Sequence, residues 1–476
     1  MNLKVCPSAR YVLALFLFLT YALLYCQRSI LSVSILAMVN HTAIFSMQNE
    51  TTSDECPHQS ESNTTGGYEE GSYIWTQSTQ GIILGSYFYG SVFAQLLGGS
   101  TTFLLGPKKV FVISTFVSSV FVLLTPFTAD IGVIVISLFQ MIVGLAQGLS
   151  FHASFSLLAR WSPVSEKTTL SSISYSGIQV GNIVGLIATG YLCHYAGWPS
   201  SFYTFGACGL VLSLCLLFVI YDRPQKHPRI SDKELIFLNE NVANIASEDC
   251  KLSIPWKDIL TSRAVWTVAF TKVCWGFGYY TILTKLPSYL QIILHFPIHE
   301  NGVMNALVYA LDAVTIMLSG FMADFVRRRR WLSITNIRKL AEALGTIGPG
   351  LCILSIPFIG CNSINVILCL AFSMGFFGFC MAGDVAIVLD LAPDFSGILF
   401  GLTNGMSSIT GIIAPYVAGL ILDKDQGDIV QWSYVFYLAS SFYCLSAVVF
   451  LIAATAELQP WAITQSIDKK ETKLEL

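Results

Sequence analysis

Charge is scarce in this chain: Asp, Glu, Lys and Arg make up 12% of its 476 residues, against 54% hydrophobic residues and a mean hydropathy of +0.64. A soluble globular chain carries about twice that share of charge, so a polytopic membrane protein is expected. The net charge of −3 says little about partners, because in such a chain the distribution of charge among loops counts for more than its sum. Nothing in it calls for nucleic acid. Metal-type spacings are also missing. The thirteen cysteines are scattered without a C-x-x-C or Cys/His pattern, and most fall in apolar runs where a thiol is a small hydrophobe. No cofactor is expected. The loops hold no constellation of nucleophile, base and metal ligand, which argues against a membrane enzyme. The first apolar run follows Lys4 and Arg10 but ends in no small-residue cleavage site, so it reads as a retained helix and not as a signal peptide.

What is present is organised around Tyr11 to Asn40, a long apolar run with Arg28 in its middle. At the rise of a helix, Arg28 lies about 26 Å from Tyr11 and about 18 Å from Asn40, too deep to reach water from either end. A guanidinium there costs at least about 2.5 kcal/mol to insert, and such groups face a bundle interior where an anion or carboxylate meets them. A purely structural ion pair is the competing reading. Further spans are expected near 79–100, 109–128, 131–157, 169–192, 201–221, 264–285, 301–324, 338–358, 363–391, 397–422 and 431–455, giving twelve helices with the first at 11–39.

The basic residues gather in alternate loops: Lys108 and Lys109, Arg160 and Lys167, Arg223 to Arg263, Arg327 to Arg330, and the tail lysines from Lys469. By the positive-inside rule those loops and both termini are cytoplasmic. The first loop, 41–78, has no Lys or Arg, and the sequons at Asn40, Asn49 and Asn63 lie in it or at its edge, so an extracytoplasmic glycosylated loop is expected. Cys56 and Cys361 both fall on that side, and a bridge between them is left open. A polar stretch, 222–263, separates an N-terminal half, 1–221, from a C-terminal half, 264–455, with a tail at 456–476. Within it Ser231-Asp-Lys-Glu234 forms a capping box that opens a short amphipathic helix. An internal repeat supports the division. Gly98-Gly99 with Gly106-Pro-Lys-Lys109 after the second span corresponds to Gly320-Phe-Met-Ala-Asp324 with Arg327 to Arg330 after the eighth, and in the second copy Asp324 is available to an adjacent helix N-terminus or arginine.

This pattern resembles the major facilitator superfamily. The blocks CPSARY (6–11), CQRSILSVSILAMVN (26–40), YIWTQSTQGIILGS (73–86), ARWSPVSEK (159–167), GWPSSFYTFGACG (197–209), ADFVRRR (323–329), LDLAPDFSG (389–397) and ATAELQPWA (454–462) resemble its anion:cation symporter family over nearly the whole chain. They are most similar to the type I sodium-phosphate cotransporter branch, whose relatives include sialin and the vesicular glutamate transporters. The resemblance implies an all-α polytopic membrane protein of the major facilitator fold, with twelve transmembrane helices in two six-helix halves and alternating access around a central anion site.

Arg28 matches the arginine that the family sets against its anion. The fourth span departs from the family pattern: Gln140 replaces an arginine, Gln147 a glutamate and Phe155 a histidine. Gln147 leaves that helix without an obvious proton carrier. His152 stands on the same span as a candidate proton carrier, set against the commoner role of a hydrogen-bonded packing residue. On the seventh span Lys272 is a candidate second cation beside Tyr279, set against a lysine snorkelling from the helix end. Tyr87, Tyr89 and Tyr279 are candidate hydrogen-bond donors to the substrate. Asp390 matches the family's tenth-helix aspartate; it could bind a cation, pair with Arg28 in the empty state or cap a helix, and its family position favours gating. Asp312 and Asp384 are further intramembrane acids suited to sodium or salt bridges.

The expected activity is secondary active transport of anions, either inorganic phosphate with sodium or organic anions such as urate driven by membrane potential. A proton-coupled symporter of acidic sugars or organic anions like sialin, or an anion sensor that does not transport, are the alternatives. Sodium enters only as a co-transported ion, and the partners are a small anion and the lipid bilayer, with the protein a monomer. The branch points to an apical plasma membrane, with an intracellular vesicle or lysosome membrane as the other location.

Overall fold

The computed structural model describes residues 8–40, 43–44, 71–163, 166–241, 255–392, 395–425 and 427–462. Among them the chain is helical, with a single isolated bridge between Val39 and Tyr73. The helices are α1 (Ala9–Met38), α2 (Gln77–Leu105), α3 (Pro107–Ile131), α4 (Val133–Trp161), α5 (Lys167–Ala196), α6 (Pro199–Val219), α7 (Asp232–Asn241), α8 (Trp256–Thr261), α9 (Arg263–Ile292), α10 (Ile298–Arg329), α11 (Ile334–Ile359), α12 (Ser363–Phe377), α13 (Asp384–Leu391), α14 (Ser396–Leu422) and α15 (Ile429–Ala453).

Among the described residues eleven spans are long and apolar enough to cross a membrane, counting α12 to α13 as one. The remaining long helix, α9, has 30 residues but carries Lys272 and Lys285 and falls short on apolarity. It runs seven residues past the expected end at 285, through Pro287, so Lys285 is an interior residue. Asn301 Nδ2 donates to the Pro287 carbonyl at 2.7 Å, tying the start of α10 to this part of α9. The expected continuous tenth span is instead interrupted. A 3₁₀ turn, Gly378–Ala382, separates α12 from α13 within the glycine-rich run GFFGFCMAGD, and here the backbone packs closely, since a Cβ on Gly378 would lie 2.3 Å from Thr315 Oγ1.

The chain forms two compact units, residues 1–34 with 86–250 and residues 35–85 with 251–476. The boundary differs from the expected 1–221, since the ends of α1 and α2 nearest the 41–78 loop group with the second unit. There Gly81 and Gly419 permit close backbone approach: a Cβ would lie 2.4 Å from the Pro415 carbonyl oxygen and 2.4 Å from the Gln77 carbonyl oxygen, respectively. Asp423 Oδ1 accepts the Ser78 N–H at 3.1 Å.

Within the first unit a cluster of Leu13, Leu17, Phe111, Leu157, Trp161 and Leu216 also takes in Leu238 of the linker helix α7. Ser231 accepts the Glu234 N–H at 3.3 Å, as a capping box requires. The Glu234 carboxylate does not turn back on its own helix. It accepts from Ser8 Oγ and from the N–H groups of Ala9 and Arg10, closing the open start of α1, and lies 3.3 Å from the Arg10 guanidinium. Arg10 also pairs with Glu166 at 2.7 Å. The expected bridge and glycans divide between described and other residues. Cys361 is disulfide-bonded, and Cys56, Asn49 and Asn63 lie outside the described residues. Asn40 is described, and its Oδ1 accepts the Ala43 N–H at 2.7 Å.

Candidate functional site

In the first unit the site is built around Arg28. Its guanidinium stands 5.4 Å from the Tyr25 ring centroid and 5.3 Å from those of Tyr87 and Phe88, a half-buried cation walled by aromatic rings. Tyr87 reaches onward, its hydroxyl donating to Gln147 Oε1 at 3.0 Å. Gln147 Nε2 in turn donates to Ser118 Oγ at 3.1 Å and to Gln27 Oε1 at 3.4 Å. Ser118 donates to Gln27 Oε1 at 3.0 Å, while Gln27 Nε2 donates to Ser119 Oγ and the Phe205 carbonyl, both at 3.1 Å. The result is a fixed charge beside a neutral amide and hydroxyl network. Gln27, Ser118 and Ser119 were not singled out in the sequence, because lone amides and hydroxyls in apolar runs carry no distinguishing pattern.

Other candidates fall outside this network. Gln140 is buried two turns before Gln147 on the same helix and takes no part in it. Tyr89 is 46% exposed, because two residues along a helix turn it to the face opposite Tyr87. His152 Nδ1 meets the Gly148 carbonyl at 2.9 Å, so the proton sits on that nitrogen. Its ring fills the space left by Gly98, where a Cβ would lie 2.5 Å from it. Phe155, standing where the family places a histidine, packs against Phe151 and Tyr175 with ring centroids 5.1 and 5.2 Å away.

The second unit holds a charged cluster. Lys272 is fully buried and does not snorkel; it donates to Asn404 Oδ1 at 2.9 Å and lies 3.9 Å from Asp384 Oδ2. Trp275 Nε1 donates to the same aspartate oxygen at 3.0 Å, and Tyr279 stacks on Phe377 at 4.9 Å. Glu342 accepts the Asp384 N–H at 3.1 Å and is wholly buried. It was missed because it follows Arg338 and Lys339 near the expected start of a span, where an acid reads as interfacial. Asp312 is buried within electrostatic reach of Cys380 and Tyr443. Asp390 pairs with Arg338 at 2.7 Å. The Arg338 guanidinium also donates to the Ala382 carbonyl at 2.9 Å, tying α11 to the break before α13.

Asp324 is exposed, and at the start of α11 it is Ser333 that accepts the Asn336 N–H. A residue that the sequence did not mark is Lys285. It is buried with its ammonium donating to the Gln77 carbonyl at 3.2 Å and to Gln77 Oε1 at 2.9 Å.

Comparison with known proteins agrees with this architecture. The model of the Major Facilitator Superfamily matches residues 17–415 and 299–473. Sialin of Homo sapiens is 34% identical over 461 residues, 96% of this chain and 92% of that protein. The probable small intestine urate exporter of Mus musculus is 34% identical over 460 residues, 96% and 92% of the two chains. Sodium-dependent phosphate transport protein 3 of Mus musculus is 31% identical over 466 residues, 97% of each. Among solved structures, the inward open xylose transporter XylE of E. coli is similar with a TM-score of 0.68 over 94% of this chain and 96% of that one, at 13% identity. A bacterial homolog of the lysosomal transporter Spinster has a TM-score of 0.67 over 96% and 100%, also at 13% identity. These are transporters and not enzymes. Sequence blocks, helical architecture and relatives converge, and the chain belongs to the Major Facilitator Superfamily, in its anion:cation symporter family with sialin and the sodium-dependent phosphate and urate transport proteins.

Proposed function

We propose that this protein is a secondary active carrier of small anions, with Arg28 supplying the fixed positive charge that meets the substrate. The observation that carries this reading is the setting of Arg28: a guanidinium midway along α1, walled by three aromatic rings, beside a network of neutral amides and hydroxyls. In a low-dielectric interior such a charge attracts an anion, and the anion offsets its desolvation. The anions to try first are inorganic phosphate and urate, the classes named for relatives at 31–34% identity. Sodium or membrane potential is the driving force that the family branch suggests. Alternating access moves the barrier while the binding residue stays in place.

The test is uptake of labelled phosphate and labelled urate into liposomes containing the purified protein, wild type against Arg28→Gln, under a sodium gradient or a potential alone. Saturable uptake in the wild type that falls at least about 100-fold in the variant is expected, since removing a charged partner in a buried site costs about 3 kcal/mol or more. Binding without net flux would replace the carrier by an anion sensor.

A further inference from the structure

The break between α12 and α13 has a chemical content of its own. A helix that restarts inside a membrane leaves amide donors that the protein must satisfy, and such interrupted helices are where transporters place their ion sites. Here Glu342 of α11 accepts the first of those amides, that of Asp384. Gly383 makes this approach possible, since a Cβ there would lie 2.5 Å from Glu342 Oε2. Asp384 turns its own carboxylate towards Trp275 and Lys272. Glu342, Asp384 and Lys272 are all 0% exposed, and the second oxygen of each carboxylate, Glu342 Oε1 and Asp384 Oδ1, is buried with no hydrogen-bond partner.

Two carboxyl groups therefore share one ammonium in a place from which water is excluded. With both ionised, one negative charge is left without a counter-charge and two acceptor atoms without donors. One proton removes the uncompensated charge, since a protonated carboxyl is neutral, and it gives the pair a donor of its own. The bookkeeping is only a carboxylate gaining a proton and losing it again. A sodium ion is the poorer occupant, because the Lys272 ammonium would repel it while one oxygen of each carboxylate is already engaged. Among the other titratable groups, the Cys380 thiol from the 3₁₀ turn lies against Glu342 and donates to the Gly345 carbonyl at 3.3 Å, and Asp312 from α10 bears on Cys380 in turn. Tyr443 from α15 and Tyr279 from α9 complete the surround.

We propose that Glu342 and Asp384 form a proton-exchanging carboxyl pair, with Lys272 as its fixed counter-charge, and that this pair couples proton movement to anion transport. The inference rests on the anion-carrier reading above and puts a proton in place of sodium or membrane potential as its driving force. Protonation takes the net charge of the three groups from minus one to zero, which makes the unit more receptive to an anion. By linkage a bound anion favours the protonated pair, so the two travel together.

The full-length protein is reconstituted with an entrapped pH dye, the potential is held at zero with potassium and valinomycin, and labelled urate and phosphate serve as probes. For one proton per anion, an inward gradient of one pH unit sustains about tenfold anion accumulation. The wild type is expected to show that accumulation together with dye acidification, and Glu342→Gln and Asp384→Asn to show a ratio of one. A protonated-carboxyl C=O band that grows in the infrared as pH falls, and is lost in Glu342→Gln, is the second expected result. It decides the question even if the variants carry no flux. Anion counterflow at equal pH in the wild type tests the carrier reading separately. Counterflow without proton-driven accumulation, or variants that keep both the accumulation and the band, would overturn the proton pair and leave the carrier standing. A wild type without counterflow overturns the carrier and the coupling with it.

Discussion

Tyr87 connects the fixed charge to the polar network, through its ring to Arg28 and through its hydroxyl to Gln147. Tyr87→Phe keeps the first contact and removes the second. A single neutral hydrogen bond contributes about 1 kcal/mol, so KM for the anion should rise about fivefold with kcat little changed, as initial-rate uptake in liposomes would show. Gln147→Glu is a sharper probe. It places a carboxylate against a network whose Ser118 and Gln27 partners were matched to an amide, and within one residue's reach of Arg28. Uptake should become strongly pH-dependent and survive only on the acid side, where the new carboxyl is neutral; a flat pH profile would exclude this. Arg28 was legible in the sequence because a charge in the middle of an apolar run has no bland surroundings to hide in. Glu342 was not, because burial at the edge of a charged stretch leaves no mark in the order of residues.

At the scale of the element, α7 acts through Glu234. Partial burial alone would raise its carboxyl, but hydrogen bonds from Ser8 and from the Ala9 and Arg10 amides, with the Arg10 charge, hold it below the usual carboxylate range. A depressed folded-state value contributes stability that is fully present above the unfolded value of about 4.3 and is lost as pH falls through the folded one. The apparent melting temperature in detergent should therefore drop on acidification below about pH 4, and this dependence should weaken in Glu234→Ala. The same variant should lose about 1 kcal/mol at neutral pH, in the range of a helix cap. The capping box was read correctly at Ser231, while the partner of Glu234 lay more than two hundred residues away and outside any local pattern. Gly383→Ala would force a methyl against Glu342 and its backbone. A cost of about 1–3 kcal/mol, read as lowered thermal stability, is expected for such overpacking. Disruption of the Glu342 contact to the Asp384 amide should accompany it. The glycine-rich sequence before Asp384 suggested close packing, but a glycine run is compatible with both a continuous helix and a broken one, and tertiary contacts decided between them.

For the whole molecule, fold class and family were legible because hydropathy, loop charge and a two-copy repeat each record the same architecture over hundreds of residues. The division into compact units was not, since it depends on which distant backbones approach each other. The expectation that the 41–78 loop is outside has a direct check. The protein from mammalian cells should migrate faster after N-glycosidase treatment, and Asn49→Gln with Asn63→Gln should abolish that shift; an unchanged mobility would place the loop on the other side. Asn40, whose side-chain oxygen is held by the Ala43 amide, is expected to contribute little to the shift.

The contacts of residues 77–85 also bear on how the chain is made. Ser78 meets Asp423, 345 positions later, Gln77 meets Lys285, and Gly81 lies against Pro415. A ribosome delivers these segments in order, so the end of α2 leaves the exit tunnel long before its neighbours exist. Until α14 is inserted, that stretch must be shielded by lipid or by a membrane chaperone. A frameshift late in the message would leave it exposed as surely as an early one, and degradation machinery that recognises unassembled spans would meet its substrate at the beginning of the chain although the lesion lies near the end.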